Sequence, residues 1–408
     1  MFFNRSFYPD GAATGQLLTE LCEGLVHEHK CRVSVVAGMP SLPDGEGERP
    51  ARNGILYTSE HYHGIEILRA RGTRYSKRRA IGRLSNYLSY FLSAGLASLC
   101  LDHPDVIVAL TDPPIIGLPA HAAARRFGVP FVMCYQDVFP EVARLLEGFR
   151  SELATRILQA INCFLARKAD RTVAIGETMR RRLITGKGAD PAKTVVIPNW
   201  ADCAKIAPGP KRNPFSLQHG LSEKFVVMHS GNIGLSQNLE VLVEAADLLR
   251  GLPGLEVVIV GDGVNKARLM GKAASLGLPN MHFLPWQPKE GLNDSFASAD
   301  IFVISLKKGL AGYIVPSKLY GILAAGRPYV AAVEAESEVA EVTRKFECGF
   351  VVEPGNAKAL ANTVRMVYEN RALIGRMGER ARQAAWEFDR TVQVQAYRDL
   401  FSDVTGLL

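Results

Sequence analysis

The chain alternates short apolar runs with longer segments in which apolar residues recur at helical spacing. Residues 105–111 (DVIVALT) and 129–135 (VPFVMCY) are apolar on both faces, which is typical of parallel strands buried between layers of helices. Residues 16–29 (QLLTELCEGLVHEH) show the helical pattern. The alternation restarts in the second half, for example at 255–261 (LEVVIVG). The pattern therefore predicts an α/β protein with two doubly wound parallel sheets.

The alternation is interrupted between residues 202 and 219. This stretch combines prolines, a glycine and charged residues, which predicts a linker. A chain of 408 residues has room for two cores of about 200 residues each. We therefore expect a first domain at 1–201, a linker at 202–219, a second domain at 220–385, and a final helix at 386–408 that returns to the first domain.

The composition is that of an ordinary globular protein, with 47% hydrophobic and 22% charged residues and a formal net charge of +7. The seven cysteines are scattered and form no CxxC pair, so neither a disulfide framework nor a zinc site is indicated. The first residues (MFFNRSFYPD) lack the basic start, apolar run and cleavage site of a signal peptide. These features predict a protein of the reducing cytoplasm.

A basic stretch directly precedes an apolar one. The segment from Arg69 to Arg83 contains seven arginines and lysines and no acid, and residues 84–101 are mostly apolar. Such a pair of segments attracts anionic lipid headgroups, so peripheral membrane contact is one hypothesis. A solvated basic face and a patch for phosphorylated ligands are the alternatives. Serine and asparagine within 84–101 favour a buried helix over a membrane span, and the lack of interleaved aromatic residues ranks nucleic-acid binding last.

Residues 312–328 (GYIVPSKLYGILAAGRP) predict a loop, a helix that begins at Ser317 and Lys318, and a glycine stop at Gly326. With Ser317 as N-cap and Lys318 in the first turn, the start of this helix would attract a phosphate. The alternative is an ordinary capped helix with a solvated lysine.

Two glycine turns in the second half directly follow predicted strands. One contains Gly231, Asn232 and Gly234, and the other contains Gly261 and Gly263. Glycine allows a backbone to approach a phosphate or ribose closely. Neither turn completes the GxGxxG fingerprint, and neither contains the lysine of a Walker A loop, so a nicotinamide or ATP enzyme is disfavoured. The sequence also contains no HExxH metal motif and no GxSxG nucleophile elbow.

In the first half, Gln136 and Asp137 follow the predicted strand 129–135. Polar groups at the carboxyl end of a central strand point into the ligand crevice, so Asp137 is a candidate for acid-base chemistry. The alternative is that Asp137 caps the helix that follows. A further glycine loop, from Gly11 to Gly15, precedes the first helix.

Several blocks of sequence resemble a known family of enzymes. They are TGQLLTEL, IPNW, HSGNIGLSQNLEVLVEAA, VIVGDG, PSKLYGILAAGRP, SEVAEV and ERARQAAWEF. In this order, and over nearly the whole chain, they resemble the retaining glycosyltransferases of family 4. The resemblance implies the GT-B fold, in which two Rossmann-like domains face a central cleft and helices follow at the C-terminus. The blocks look most like the subgroup that adds sugars during bacterial O-antigen, capsule or exopolysaccharide assembly.

The resemblance implies that the second domain binds a nucleoside diphosphate sugar, with a UDP-sugar as the expected donor. It also implies that the first domain binds a saccharide or lipid-linked acceptor. The positions that match the donor site are Gly231, Asn232, Gly234, Gly261, Gly263, Trp286, Ser317 and Lys318. The acceptor-side positions are Gly11, Thr14, Gly15 and Gln136. Asp137 lies where many members carry a histidine-aspartate pair.

Two features depart from the family pattern. Many members carry two glutamates where this chain has Tyr313 and Gly321, so the contacts to ribose and sugar are open. Candidates to replace them are Glu334, Glu336 and Glu338. A common arginine and lysine are also missing after the first donor loop, which leaves Lys318 to carry more of the diphosphate charge. Its candidate helpers are Arg327, Lys307 and Lys308.

The implied reaction is a metal-independent transfer of a hexosyl or N-acetylhexosaminyl group with retention of configuration. Lys318 would neutralise the charge that grows on the β-phosphate, and Asp137 would orient or deprotonate the acceptor hydroxyl. No cofactor is expected besides the donor substrate, and the expected location is the cytoplasm or the inner face of the plasma membrane. The alternative is a sugar-nucleotide 2-epimerase of the same fold, which would convert the donor without an acceptor.

Overall fold

The computed structural model describes residues 1–40, 57–73, 80–98, 102–147 and 151–407. The chain divides into two compact units, one of Met1–Pro198 with Arg390–Leu408 and the other of Asn199–Asp389. Each unit contains a mainly parallel sheet with helices packed against it. The predicted α/β organisation with two doubly wound sheets is therefore confirmed.

The described strands of the first unit are β1 (Phe2–Phe3), β2 (Val33–Gly38), β3 (Tyr57–Tyr62), β4 (Ile65–Ala70), β5 (Ile107–Ala109), β6 (Phe131–Tyr135), β7 (Arg171–Ala174) and β8 (Thr194–Val196). They form one sheet in the order β3-β4-β2-β1-β5-β6-β7-β8, in which β3 is antiparallel to β4 and the other pairs are parallel. The order of strands reverses between β1 and β5. Ligands of open α/β sheets bind at the carboxyl ends of the strands beside such a switch point.

The helices of this part of the first unit are α1 (Ala13–His27), α2 (Ala80–Ala97), α3 (Gly117–Phe127), α4 (Glu141–Glu147), α5 (Glu152–Lys168) and α6 (Glu177–Lys187). Helices α1, α2, α3, α5 and α6 pack on the strands. Because both faces of the sheet are covered, all five residues of β6 are buried, as their apolar run predicted.

Most of the described part of the apolar segment 84–101 lies in α2, which begins at Ala80 and ends at Ala97. One face of this helix buries Tyr90, Ala94 and Ala97. The opposite face leaves three leucines 50%, 57% and 47% exposed, namely Leu88, Leu92 and Leu96. The prediction of a buried helix is thus correct for one face and wrong for the other. Among the described residues, no helix combines the length and the apolar character needed to cross a membrane.

Arg69, the first residue of the predicted basic patch, is not on the surface. Its side chain is 1% exposed. Its Nε donates to Oε1 of Glu60, its Nη1 donates to the carbonyl oxygen of Gly38 at 3.3 Å, and its Nη2 donates to the carbonyl oxygen of Tyr8. The prediction that Arg69 faces a membrane is therefore wrong, because this guanidinium is bonded inside the protein to one carboxylate and two backbone carbonyl oxygens. The cations at 74–79 lie outside the described residues.

The second unit contains β9 (Phe225–Ser230), β10 (Leu255–Val260), β11 (Met281–Leu284), β12 (Ile301–Ser305), β13 (Tyr329–Ala332) and β14 (Gly349–Val352). These strands form a parallel sheet in the order β11-β10-β9-β12-β13-β14. The switch point of this sheet lies between β9 and β12. The loops that follow these two strands are therefore where a ligand is expected.

The helices of the second unit are α7 (Pro214–Gln218), α8 (Glu240–Leu249), α9 (Lys266–Ser275), α10 (Leu292–Ala297), α11 (Lys318–Ala324), α12 (Glu338–Phe346), α13 (Ala357–Glu369) and α14 (Ala372–Ala385). The core is formed by apolar residues of β9, β10, α8 and α13. Local sequence signals set several helix ends. Ser337 caps α12, because its Oγ accepts a hydrogen bond from the N–H of Ala340 at 3.3 Å.

Residues 202–219, predicted as a linker, belong to the second unit. Asn213 caps α7, and its Nδ2 donates to the carbonyl oxygen of Asp294 at 3.0 Å. Lys211 forms an ion pair with Asp300, and Phe215 is buried. The segment is therefore not a free connection, because Asn213 and Lys211 hold it against α10 and the start of β12.

The last helix, α15 (Arg390–Thr405), belongs to the first unit and packs on α1. The guanidinium of Arg390 forms an ion pair with Glu28 at 2.5 Å. The rings of Phe2 and Phe401 meet edge to face at 6.0 Å. The chain passes between the units at 198–199 and 389–390, against the predicted boundaries at residues 201 and 386.

Candidate functional site

Two loops lie side by side at the carboxyl ends of β9 and β10. The N–H of Gly231 donates to the carbonyl oxygen of Val260 at 2.9 Å, and the N–H of Ile233 donates to the carbonyl oxygen of Asp262 at 2.8 Å. The two predicted glycine turns therefore form one hydrogen-bonded surface, and the first of them borders the switch point of the sheet.

Gly261 and Gly263 are required where the two loops touch. Both have left-handed backbone angles, with φ of +141° and +154°. A Cβ at Gly261 would overlap the carbonyl oxygen of Gly231, and a Cβ at Gly263 would overlap the carbonyl oxygen of Ile233. The close approach that the sequence predicted is thus an approach of one loop backbone to the other.

Gly261→Ala is expected to destabilise the protein by about 2 to 4 kcal/mol, because the new Cβ must separate the loops and adopt a strained φ. The melting temperature of the purified variant measures this. Gly271→Ala is the matched control, since Gly271 lies in α9 with nothing within 4 Å of its Cβ position. The control is expected to be neutral or slightly stabilising. Equal melting temperatures for the two variants would contradict this role of Gly261.

The amine of Lys318 lies beside the first loop, at the switch point. Its Nζ is 2.9 Å from Nε2 of His229, and it would be 3.7 Å from a Cβ at Gly231. His229 belongs to β9 and is fully buried, with Nδ1 3.3 Å from the carbonyl oxygen of Val303 in β12. A carbonyl oxygen only accepts hydrogen bonds, so the bond to Val303 requires the ring proton on Nδ1, and in that tautomer Nε2 accepts from Lys318.

The surroundings favour the neutral form of both groups. Loss of water on burial lowers the pKa of Lys318 to about 7. The pKa of His229 lies well below its ordinary value, first because the ring is buried and second because Lys318 is adjacent. The site thus contains an amine that titrates near neutral pH beside a neutral imidazole. A bound anion would favour the ammonium form.

Helix α11 begins at Lys318, but the side chain of Ser317 does not cap it. Ser317 has helical backbone angles, with φ of −62° and ψ of −21°, and its side chain makes no capping hydrogen bond. The predicted N-cap role of Ser317 is wrong, because an N-cap residue needs an extended backbone for its oxygen to reach the following N–H groups. The glycine stop at Gly326 is present, with φ of +62°. The cationic group at this point is the amine of Lys318.

The positions that depart from the family pattern have their own contacts. A Cβ at Gly321 would lie 2.9 Å from the ring of Phe296, so a longer side chain would require this ring to move. Glu334, one predicted substitute, accepts hydrogen bonds from the N–H of Gly309 at 2.9 Å and of Ala311 at 3.2 Å. Its carboxylate therefore orders the loop that follows β12.

Arg327, a predicted helper at the diphosphate, has other partners. Its Nη2 donates to the carbonyl oxygens of Gly209 at 2.9 Å and Ala297 at 2.7 Å. The prediction for Arg327 is therefore wrong, since these bonds hold the 202–219 segment against the end of α10. The other two candidates, Lys307 and Lys308, are exposed.

Asn232 and Trp286 are exposed members of the predicted donor site. Asn232 lies in the loop after β9, and Trp286, which is 54% exposed, follows β11. Gly234, in the same loop as Asn232, is buried. Its N–H donates to Oε1 of Gln237 at 2.9 Å. This N–H is therefore already used within the loop.

A second polar cluster lies at the switch point of the first unit. Arg5 and Ser6 follow β1, and Asp112 follows β5. Nε of Arg5 donates to Oδ1 of Asp112 at 3.1 Å, and Oγ of Ser6 donates to Oδ2 of the same carboxylate at 2.5 Å. The sequence reasoning missed these three residues and also missed His229. All four lie at or just beyond the ends of strands that border a switch point. Knowledge of the strand order is the signal that would have identified them.

Asp137 follows β6, next to this cluster. The hydroxyl oxygen of Thr111 accepts from the N–H groups of Gln136 and Asp137, both at 3.3 Å, and so ties the end of β6 to that of β5. Burial and, second, the charge of Asp112 raise the pKa of Asp137 to about 6. Helix α4 begins only at Glu141, so Asp137 is not its N-cap. A carboxylate with this pKa is a suitable base near neutral pH.

The predicted loop from Gly11 to Gly15 is partly helical. Helix α1 begins at Ala13, so Thr14 and Gly15 lie in its first turn. A Cβ at Gly15 would be 3.2 Å from the backbone of Ser6, which shows that glycine lets α1 approach the loop after β1. Gly11 is exposed and has no atom within 4 Å of its Cβ position.

Two family models match the chain. Residues 13–200 match the glycosyl transferase 4-like domain, and residues 212–384 match the glycosyl transferases group 1. The two matches together cover most of both units.

Curated relatives carry the same assignment. The putative colanic acid biosynthesis glycosyl transferase WcaI of Escherichia coli (strain K12) is 32% identical over 58% of this chain and 57% of its own length. The probable glycosyltransferase WbjE of Pseudomonas aeruginosa is 27% identical over 72% of this chain and 74% of its own length. The aligned part therefore spans little more than half of WcaI and about three quarters of WbjE.

Solved structures share the fold. Anabaena Alr3699/HepE, crystallised in complex with UDP, superposes with a TM-score of 0.72 at 18% identity, over 98% of this chain and 99% of its own. Sucrose-phosphate synthase from Thermosynechococcus elongatus superposes with a TM-score of 0.74 at 17% identity, over 98% and 99%. At such identities the likeness shows the fold alone. Together with the family models it shows that the chain belongs to the GT-B glycosyltransferases of the family 4 type, as its sequence blocks predicted.

Proposed function

We propose that this protein is a retaining, metal-independent glycosyltransferase. It moves a hexosyl or N-acetylhexosaminyl group from a UDP-sugar to a saccharide or lipid-linked acceptor during assembly of a bacterial surface polysaccharide. Membership of the family supports glycosyl transfer, and the description of WcaI supports polysaccharide assembly. Alr3699/HepE has been crystallised with UDP and with UDP-glucose, which supports a uridine donor.

The observation that carries the proposal is the partly buried amine of Lys318 at the switch point of the second unit. Among the described residues, no carboxylate pairs with this amine, and its neighbour His229 is neutral. Gly231 leaves space beside it. A diphosphate would supply the counter-charge that the amine lacks. In this proposal Asn232, Gly234 and Ser317 lie near the diphosphate, and Gly261, Gly263 and Trp286 lie near the base.

In the proposed reaction, the bond between the anomeric carbon and the β-phosphate oxygen breaks, and a bond to the acceptor oxygen forms on the same face of the sugar. The leaving diphosphate gains negative charge, which protonated Lys318 stabilises more in the transition state than in the ground state. The acceptor proton passes to the departing phosphate oxygen or to Asp137. Because the pKa of Asp137 is about 6, this carboxylate is mostly ionised at neutral pH. The positive charge comes from Lys318, and no metal takes part.

The acceptor is proposed to bind the first unit, near Gly11, Thr14, Gly15 and Gln136, at the cytoplasmic face of the plasma membrane. Helix α2 supports peripheral contact with the membrane, because its exposed leucines Leu88, Leu92 and Leu96 recur every four residues and so form one apolar face.

Thermal-shift measurements with UDP-, GDP- and dTDP-sugars test the donor assignment. A UDP-sugar is expected to raise the melting temperature most at equal concentration, because stabilisation grows with the ratio of ligand concentration to Kd. Product analysis with and without a saccharide acceptor then tests the reaction. Formation of a glycoside only when the acceptor is present supports the proposal. Conversion of the donor alone would indicate an epimerase and overturn it.

Binding of UDP is expected to take up about one proton per protein near pH 8.5. Free Lys318 has a pKa of about 7 and is mostly neutral there, and a bound diphosphate returns that pKa toward its ordinary value of 10.5. The affinity for UDP is therefore expected to fall as the pH rises above about 7. Calorimetry in buffers of different ionisation enthalpy counts the protons. Uptake that persists unchanged in Lys318→Ala would show that another group is responsible.

A further inference from the structure

A groove of about 830 Å³ opens in the first unit at the amino ends of β6, β7 and β8. Its walls are the end of α3, the end of α5 and the end of α15. Asp137 and the cluster around Asp112 lie at the opposite, carboxyl ends of the strands. A five-residue strand such as β6 spans about 17 Å, so the groove is separate from the proposed acceptor site.

The lining of the groove carries four basic and two acidic side chains. One basic group, Arg171, is already paired with Asp403 at 2.6 Å. The carboxylate of Asp170 accepts a hydrogen bond from the N–H of Phe131 at 2.9 Å. Three exposed basic side chains have no hydrogen bond or ion pair within the part of the chain that the structure describes, namely Arg125, Lys168 and Lys193. Like charges around one groove repel each other, and an anion between them relieves that repulsion.

Helix ends account for only part of this charge. Arg125 and Lys168 lie in the last turns of α3 and α5, where a cation is favoured by the carbonyl groups at the helix terminus. Lys193 lies in the turn that precedes β8, so no helix terminus stabilises its charge. The groove is the feature that all three cations share.

The groove is also open enough to admit a ligand. Gly128 ends α3 in the left-handed conformation, with φ of +69°, and has no atom within 4 Å of its Cβ position. The region around that Cβ position is therefore not filled by other described residues. The groove volume lies within the range of about 300 to 1,000 Å³ that is usual for small-molecule sites.

The pKa of His121 depends on the charges that line the groove. Its ring packs edge-on against Phe131 at a centroid distance of 5.4 Å, and among the described residues its buried Nδ1 has no hydrogen-bond partner. Burial, then Arg125, then Lys168 lower the pKa of His121, while Asp170 raises it. The positive potential of the groove therefore reaches the ring.

We propose that this groove binds a phosphate-bearing anion through Arg125, Lys168 and Lys193. A phosphate presents several strong acceptor oxygens, so it can bond to cations that approach from different walls. A soluble phosphate ester or pyrophosphate and the headgroup of a phospholipid present the same oxygens. Neither source requires the nucleotide-sugar site in the second unit, so the groove is a second, independent anion site.

Titration of the full-length protein with pyrophosphate tests the proposal, with the imidazole signals of His121 followed by NMR and assigned through His121→Gln. The His121 signals are expected to shift saturably, and the pKa of the ring is expected to rise because the anion offsets Arg125 and Lys168. Lys168→Ala and Lys193→Ala are each expected to weaken binding about tenfold, as is usual for one charge-assisted hydrogen bond. Arg156→Ala is the matched control, because Arg156 is exposed on α5 but does not line the groove.

Unmoved His121 signals, or equal weakening by Arg156→Ala and Lys168→Ala, would overturn the proposal. The titration is repeated in Lys318→Ala, where the His121 response is expected to remain. That result separates this groove from the nucleotide-sugar site, so either proposal can fail without the other. Flotation with vesicles of phosphatidylglycerol or phosphatidylcholine distinguishes the source of the phosphate. Binding to the anionic vesicles that is lost in Lys168→Ala and Lys193→Ala assigns it to a lipid headgroup, whereas a response to pyrophosphate alone assigns it to a soluble ligand.

Discussion

Replacement of Lys318 by alanine is expected to lower kcat by about two to three orders of magnitude, the usual effect of removing one preorganised group that stabilises transition-state charge. The reason is that no carboxylate or second cation among the described residues contacts Lys318, so nothing adjacent replaces its amine. Steady-state kinetics with a UDP-sugar and an acceptor measure the effect.

The Lys318→Ala variant is expected to remain folded. The folded-state pKa of about 7 is below the ordinary value of 10.5, so the folded protein binds this proton less tightly than the unfolded chain. The contribution of Lys318 to stability therefore rises as the pH increases between those two values, and the variant should lack this dependence. Lys358→Ala, a change at an exposed lysine of α13, is the control and should leave kcat unchanged. Near-normal turnover in folded Lys318→Ala would refute the diphosphate assignment.

Replacement of Asp137 by asparagine is expected to lower kcat by about two orders of magnitude, within the range usual for a general base. In the wild type, activity is expected to fall as the pH decreases through about 6, because the carboxylate must be ionised to accept a proton. This acidic limb should be absent in the variant. The pH dependence of kcat for both proteins is the measurement.

Asp112→Asn provides a second test of the role of Asp137. The charge of Asp112 contributes to the raised pKa of Asp137, so its removal should move the acidic limb to lower pH. Asp105→Asn, at an exposed position before β5, should leave the limb unchanged. An acidic limb that stays near pH 6 in Asp137→Asn would assign it to a different group.

Much of the fold could be predicted because the signals are local. A strand covered on both faces must be apolar on both faces, so β6, β9 and β12 were recognisable without their neighbours. Gly261 and Gly263 predicted that another group approaches the backbone closely at these positions. The sequence could not tell that the approaching group is the neighbouring loop, because that depends on which strands are adjacent.

The segment 202–219 shows how composition can mislead. Proline and glycine favour turns, and turns occur both in free linkers and in packed surface segments. Contacts decide between the two, and here they include the bond from Asn213 to Asp294 and the packing of Gly326 against Pro208. Arg69 shows that the local charge pattern can also mislead. Its place in a basic run suggested exposure, but Glu60 and two carbonyl oxygens satisfy it inside the protein.

The sequence by itself determined the two α/β units, the family, the glycine turns and the lysine at the start of α11, because each is encoded in residues that are close along the chain. Only the tertiary structure decided which distant residues share a site. His229 and Lys318 are 89 positions apart, and Arg5 and Asp112 are 107 positions apart. Each pair meets because the strand order reverses between β9 and β12 and between β1 and β5, and the alternation of strands and helices does not encode that order.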